Sequence, residues 1–371
     1  MLINEKTNLR GELAGSIGDL GTLLPYIISG ITIAGLNTTG VFVMFGLMYL
    51  FTAWFYRVPV PVQPMKVIGA AIIVQHLTPG EVAATGIMIG AILLILSFSG
   101  IVERITRVIP RSVTLGVQAG LGISLCLLGI SLVEEDWLLG AIILIVMLLL
   151  FNNKKLPASI VALFGGTALA FALHPELTFP VLQWEINLPH LIIPQWQDFY
   201  RGFCLGVLPQ LPLTITNSVL VTAVLASQLL PETSGRVTDK NLCFTLGLGN
   251  LIAAPLGGYP MCHGSSGLAA HYRFGGRTGL TIAIIGIILL FIGVFLGSSG
   301  LQLLQIIPSA VLGGMLFFSG IDLVRAAKIE DTNDTFCFIV VLVLSIAVNP
   351  AIGLVTGIPL ALLLQKGWIK I

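Results

Sequence analysis

Pro59-Val60-Pro61-Val62-Gln63-Pro64-Met65-Lys66 is a stretch that no regular α-helix can contain. Each proline lacks an N–H and pushes the residue before it towards extended backbone, so a helix can begin only at about Met65. The flanking runs 40–56 and 82–99 are nevertheless apolar enough for membrane helices. Extended backbone at membrane depth is tolerated only where it lines a polar cavity or is buried in protein. Pro255-Leu256-Gly257-Gly258-Tyr259-Pro260-Met261-Cys262 is a second stretch of the same kind. It is expected to be extended too, with a helix from His263 or Gly264.

Composition sets the solvent. Of 371 residues, 56% are hydrophobic and 9% charged, against about 25% charged in a soluble domain. The chain cannot build a polar shell of its own, and is read as an all-α polytopic membrane protein. A net charge of +1 gives no reason to expect a nucleic-acid partner or a polybasic lipid-binding tail. Cys126, Cys204, Cys243, Cys262 and Cys337 lie in apolar runs without CxxC spacing, and are read as small buried hydrophobes. The opening MLINEKTNLRGE lacks an apolar core and a cleavage site, so no signal peptide is expected, and Thr7-Asn8 can cap the first helix.

Apolar runs bounded by charge, Gly or Pro give fourteen segments. They lie near 13–35, 40–56, 61–78, 82–99, 112–131, 137–151 and 157–174, then 199–230, 241–256, 260–272, 279–298, 306–323, 335–348 and 351–366. The third and tenth are too short to span as plain helices. With the N-terminus inside, one face collects Lys6, Arg10, Arg57, Arg104, Arg107, Arg111, Lys154, Lys155, Arg236, Lys240, Arg273, Arg277, Arg325, Lys328, Lys366 and Lys370. Of the 18 Lys and Arg residues, only Arg201 and Lys66 fall elsewhere, while Glu134-Glu135-Asp136 lands outside. This bias supports fourteen crossings with both ends cytoplasmic, in a cell membrane.

An internal repeat runs at an offset of about 198: IPRSVTLG (109–116) faces IPSAVLGG (307–314), and VPVQPMKVIGAA (60–71) faces YPMCHGSSGLAA (259–270). Residues 1–175 form the first copy and 199–371 the second, joined by an interfacial linker over 176–198. Seven segments per copy is an odd number, so the copies are inverted, as in many secondary transporters. The two half-helices, in segments 3 and 10, then start near mid-membrane with their N-termini facing each other. Free N–H groups and the positive dipole ends make such a pair an anion site without an arginine.

Polar residues that lipid would not accept surround these tips. They are Asp19, Thr22 and the break at Pro25 in the first run, and Gln63 and Lys66 in the third. The eighth adds Gln210, Thr214, Thr216 and Asn217, and the tenth His263, Gly264, Ser265 and Ser266. A lone Ser or Thr can instead bond its own helix backbone, whereas buried amides need partners. Asp19 and Lys66 are read as the two ionisable residues in membrane segments near the site. Asp19 is either a proton-coupling group or an ion-pair partner of Lys66. His76, His174, His190 and His271 are assigned to interfaces or loops. No HExxH, GxSxG or Walker motif occurs and carboxylates are too scarce for a two-metal centre, so no enzyme, metal or cofactor is expected.

GDLGTLLP (18–25), PVPVQPMK (59–66) and PQLPLTITNS (209–218) resemble signature segments of the molybdate transporters of plants, algae and microbes, a branch of the SulP sulfate-permease superfamily. The resemblance implies the SulP/UraA-like fold, with segments 1–4 and 8–11 as a core and 5–7 and 12–14 as a gate. It implies molybdate bound between the third and tenth half-helices, with help from the first and eighth. Typical sulfate permeases carry a cytoplasmic STAS domain after the last helix, and none is expected after Lys366. The function expected is secondary active transport of molybdate by alternating access. Sulfate or general oxyanion transport and a passive anion channel are the alternatives, and a homodimer is left open.

Overall fold

The computed structural model describes residues 9–99, 110–151, 153, 158–175, 178–325 and 332–369. The expected cap at Thr7-Asn8 and the expected inside charges Lys6, Arg104, Arg107, Lys154, Lys155, Lys328 and Lys370 lie outside them.

The first half runs through α1 (Leu9–Ser16), a 3₁₀ turn (Ile17–Asp19), α2 (Leu20–Thr32), α3 (Thr38–Tyr56), α4 (Lys66–Val74), α5 (Pro79–Ser99), α6 (Arg111–Val133), α7 (Trp137–Leu150) and α8 (Ala158–Leu173). The second runs through α9 (Trp196–Leu229), α10 (Asp239–Ala253), α11 (Ser265–Arg273), α12 (Gly279–Phe295), α13 (Gly297–Gln305), α14 (Ser309–Arg325), α15 (Thr332–Ala347) and α16 (Pro350–Gln365). Among the described residues, α3, α5 and α9 are each long and apolar enough to cross a membrane alone.

The proline-rich stretch is extended, as its chemistry requires. It ends in β1 (Gln63–Pro64), which pairs antiparallel with β2 (Met261–Cys262), placing Gln63 opposite Cys262 and Pro64 opposite Met261. Nine-residue helices follow both strands, α4 from Lys66 and α11 from Ser265, a separation of 265 − 66 = 199 residues. The two-strand ladder satisfies backbone that prolines and burial would otherwise leave unpaired. Asn250 on α10 completes it by accepting from the Met261 N–H and donating to the Met261 carbonyl, each at 2.8 Å.

Two local expectations change. Pro25 does not break its helix: α2 runs through it from Leu20 to Thr32. The irregular backbone is instead the 3₁₀ turn at Ile17–Asp19. The stretch from Pro255 also begins as a 3₁₀ turn, Ala254–Leu256, and becomes extended only after Gly257, whose φ of 74° suits a residue without Cβ.

α3 lies against α12 and α5 against α10, while α14 lies against α6 and α15 against both α6 and α16. α6 and α14 approach at Gly129 and Gly313, where a Cβ on Gly129 would sit 2.6 Å from the Gly313 carbonyl oxygen. Asp136, the N-cap of α7, accepts from the Leu139 N–H at 3.1 Å and pairs with His174 Nε2 at 2.8 Å, closing α7 onto α8. The Leu139 N–H, and then His174, hold its carboxyl below the usual range. Residues 178–195 form no regular element, and the N–H groups of Asn187 and Ile192 donate to the carbonyls of Val294 and Pro255.

Candidate functional site

A cavity of about 320 Å³ opens between the head of α4, the 3₁₀ turn, α2 and α11 on one side and α7, α8 and α14 on the other. Asp19, Thr22, Lys66 and Ser266 line it, four of the residues that sequence reading selected. Lys66 Nζ lies 3.4 Å from Ser266 Oγ, bridging the first turns of α4 and α11. Asp322, Arg325, Ser319, Arg273 and Tyr26 line it too, and were not among the expected site residues. Asp322 belongs to an apolar run, but at its end beside Arg325, where it reads as loop charge. Counting the lining, Lys66, Arg273 and Arg325 oppose Asp19 and Asp322, a formal excess of one positive charge.

The other expected residues sit one layer back, bonded to protein. Gln210 Oε1 accepts from the N–H groups of Val67 and Ile68 at 2.9 and 3.2 Å, and its Nε2 donates to Thr214 Oγ1 at 2.9 Å. The α4 N-terminus is therefore capped by a side chain from α9, and these N–H groups are not free for a ligand. Ser265 Oγ donates to Asn217 Oδ1 at 2.6 Å. At α11, by contrast, no acceptor is bonded to the N–H of Ser265 or Ser266 among the described residues. The N-cap there is Gly264, which has no side chain to cover them. Among the described residues the α11 N-terminus thus leaves the N–H groups of Ser265 and Ser266 without an acceptor, where the second and third N–H groups of α4 are satisfied.

His263 is likewise spent. Its Nδ1 is 2.7 Å from the Pro61 carbonyl oxygen, which can only accept, so Nδ1 carries the proton. Nε2 then accepts from Thr245 Oγ1 at 3.0 Å, and Tyr56 OH completes the chain at 2.7 Å from that hydroxyl. The Thr222 hydroxyl holds the His263 carbonyl at 2.7 Å. His263 is a fully buried strut between the extended stretches and α10.

Gln63 Nε2 donates to Asp19 Oδ1 at 2.7 Å. Oδ2 has no hydrogen-bond partner, although the Thr22 hydroxyl lies beside the carboxylate. The Gln63 amide rests against the backbone of α11, made possible by Gly264 and Gly267: a Cβ on Gly267 would be 2.6 Å from Asp19 Oδ2 and 2.7 Å from Gln63 Nε2. His271, assigned from sequence to an interface, is instead fully buried on α11 with Nδ1 2.9 Å from the Gly15 carbonyl. Its neighbour Arg273, one of the expected inside charges, suggested an interface or loop position, whereas His271 is buried against the Gly15 carbonyl.

The family model described as "Molybdate transporter of MFS superfamily" matches residues 11–125 and 202–323. This chain belongs to the molybdate transporter family. It is 30% identical to Molybdate transporter 2 of Arabidopsis thaliana over 97% of this chain and 88% of that protein. It is 25% identical to Molybdate transporter 1 of Chlamydomonas reinhardtii over 94% and 90%. Among solved structures, the transmembrane domain of the cyanobacterial bicarbonate transporter BicA superposes with a TM-score of 0.71 at 20% identity, covering 95% of this chain and 98% of that one. The murine Slc26a9 anion transporter in its inward-facing state gives 0.68 at 13%, covering 100% and 70%. The fold is thus that of the BicA and Slc26 transmembrane domains, and the protein is an integral multi-pass membrane protein whose relatives are transporters, not enzymes.

Proposed function

We propose that this protein is a secondary active transporter of molybdate that works by alternating access. The observation that carries the reading is the cavity with its positive excess, headed by the N-terminus of α11. A tetrahedral dianion offers acceptors in every direction. Lys66, Thr22 and Ser266 bring an ammonium and two hydroxyls to the cavity lining, and the first N–H groups of α11 stand beside them. Relatives named as molybdate transporters along nearly the whole chain support the choice of oxyanion. Gln63, Gln210, Thr214, Asn217, His263 and Gly264 hold this donor set in place from behind.

The membrane arrangement is fourteen crossings in two inverted copies, 1–175 and 199–371, joined by a linker over 176–198. Both ends lie in the cytoplasm of a cell membrane, and α4 and α11 are half-spans. The core comprises segments 1–4 and 8–11 and the gate segments 5–7 and 12–14; a cavity lined by α2, α4 and α11 on one side and α7, α8 and α14 on the other supports a site between the two. Movement of core against gate would carry the site from one face to the other, with Asp19 as the coupling group.

Uptake of radiolabelled molybdate into liposomes holding the purified protein tests this. The expected result is saturable uptake, suppressed by excess molybdate or tungstate and far less by sulfate. Equal uptake of sulfate would withdraw the substrate, and unsaturable voltage-driven current would replace the carrier with a channel.

A further inference from the structure

Four buried titratable groups carry atoms without a hydrogen-bond partner among the described residues: Asp19 Oδ2, His271 Nε2 and the hydroxyls of Tyr49 and Tyr259. Asp19 and His271 are the acid and the base among them, and the mechanism above uses only Asp19. Asp19 is 2% exposed and His271 0%. Such orphans are uncommon in folded proteins, because each forfeits the bonds it made to water.

The remaining atoms of both groups are fixed. Asp19 Oδ1 accepts from Gln63. His271 Nδ1 faces the Gly15 carbonyl at 2.9 Å, and a carbonyl cannot donate, so Nδ1 keeps its hydrogen. In the neutral ring Nε2 is consequently a bare lone pair, and in the ionised carboxylate Oδ2 is another acceptor.

One helix brings them together. Asp19 Oδ2 lies against Gly267, 2.6 Å from where a Cβ would be. His271 follows Gly267 by four residues on α11, hence on the same face one turn away. The turn that carries Asp19 packs on this helix, with the Cβ position of Gly18 at 2.9 Å from the Ala270 carbonyl oxygen. Carboxylate and imidazole stand within electrostatic reach of each other.

We propose that Asp19 and His271 form a two-residue proton site, and that the proton it holds is the one moved with the oxyanion. The proposal rests on the reading of the chain as an active molybdate transporter. The proton can reside on Asp19 Oδ2 or on His271 Nε2, which form no direct hydrogen bond or ion pair in this structure but stand within electrostatic reach of each other. Either way the pair is neutral, and on release of the proton it carries one negative charge. Asp19 lines the cavity, so the proton raises the formal excess of the lining from one positive charge to two. That favours a dianion, and by linkage a bound dianion favours the proton.

The other charged or titratable groups around the pair are accounted for. Tyr49 faces Asp19 from α3, Lys66 from α4 and Cys262 from β2. Asp322 and Arg325 stand across the cavity on α14, and Arg273 lies further along α11. Glu12, near the Gly15 end, is occupied by Thr281 Oγ1 and the N–H groups of Arg277 and Thr278.

The test uses the full chain with His271→Asn, whose amide N–H can keep the bond to Gly15 but has nothing at Nε2. In liposomes, an inward gradient of one pH unit should stimulate wild-type molybdate uptake several-fold. In H271N, the ratio of uptake with and without the gradient should fall to about one, whatever the absolute rate. In weakly buffered detergent solution, saturating molybdate should draw protons from a pH indicator into the wild type and not into H271N. This readout serves even where transport is lost, and His271→Gln, whose amide reaches the Nε2 position without titrating, should behave like H271N. A gradient response or proton uptake that persists in both variants overturns the proposal, as does a wild type driven by sodium rather than protons. Absence of molybdate uptake and exchange in the wild type would instead overturn the molybdate reading and take this one with it.

Discussion

Gln210 and Val67 are 143 residues apart in sequence, yet the Gln210 amide oxygen accepts the Val67 N–H at 2.9 Å and that of Ile68 at 3.2 Å. The first-turn N–H groups of a helix have no partner within the helix, and Met65, the N-cap of α4, makes no side-chain bond to them. Gln210 gives those of α4 an acceptor, so the α4 N-terminus is a joint to α9, whereas at α11 the N–H groups of Ser265 and Ser266 have no acceptor among the described residues. Exchanging Gln210 for an apolar residue of similar size removes the acceptor from two buried donors, at about 1–3 kcal/mol each.

Gln210→Met is therefore expected to lower the unfolding temperature of the detergent-solubilised protein by several degrees and to lose transport with it. Gln210→Glu keeps the acceptor oxygen and should restore most of the stability. It adds negative charge behind the oxyanion site, so uptake should stay low. Thermal unfolding read beside initial uptake rates separates the two effects.

Gly267 sets how closely Asp19 and Gln63 approach α11. A methyl group there would lie 2.6 Å from both Asp19 Oδ2 and Pro61 Cβ. Gly267→Ala should force the Gln63–Asp19 bond apart and cost about 1–3 kcal/mol in overpacking. Ala269→Ser, on the exposed side of the same helix, should be close to neutral. A G267A protein with wild-type unfolding temperature and uptake would mean that the contact is not tight.

The broken third segment was legible because three prolines in six residues, Pro59, Pro61 and Pro64, leave the backbone no helical option. The start of α11 was legible for the same reason, one residue beyond Gly264. What joins these stretches was not. The pairing of Gln63 with Cys262, the Asn250 clamp on Met261 and the Tyr56–Thr245–His263 chain are contacts between distant segments that leave no mark on local pattern. Polar type told which residues could not face lipid, but not whether they faced a ligand or each other. Lys66 and Ser266 face the cavity, whereas Gln210 and His263, no less polar, are consumed as struts.

His263 bonds through both ring nitrogens in its neutral form, so it should have no part in any proton dependence of transport. His263→Gln is expected to destabilise by about 1–3 kcal/mol, since one amide cannot reach both the Pro61 carbonyl and Thr245. Folded H263Q should keep the wild-type ratio of uptake with and without a pH gradient. Loss of that ratio would assign the proton to the wrong histidine.

Lys66 and Asp322 line the cavity from opposite walls, and each lies within electrostatic reach of the other. An arriving oxyanion competes with Asp322 for the ammonium. Lys66→Met should raise the KM for molybdate by about tenfold, the equivalent of roughly 1.4 kcal/mol of lost attraction. Asp322→Asn should lower KM by a smaller factor, and both effects should shrink in high salt. If D322N raised KM instead, Asp322 would belong to the set of groups that holds the bound state together.

The positive excess of the cavity can be measured without the substrate. Ser319 on α14 lines it, so Ser319→Cys places a thiol in the lining that Lys66 and Thr22 share. The partly exposed Cys126 and Cys204 are first replaced by serine, so that only the new thiol is accessible. Two thiol reagents of similar size, one carrying a sulfonate and one a quaternary ammonium, should then react at different rates. Solvent-exposed thiols favour neither by much, whereas a lining with three cations and two carboxylates concentrates the anion. The sulfonate reagent should label about tenfold faster relative to its rate with a small free thiol, less so at high ionic strength. Molybdate should slow it at concentrations near its KM, because the oxyanion both fills the cavity and cancels its charge. Equal labelling by the two reagents would mean that Asp19 and Asp322 outweigh the cations in effect. The site would then have to draw its preference for anions from the α11 N-terminus alone.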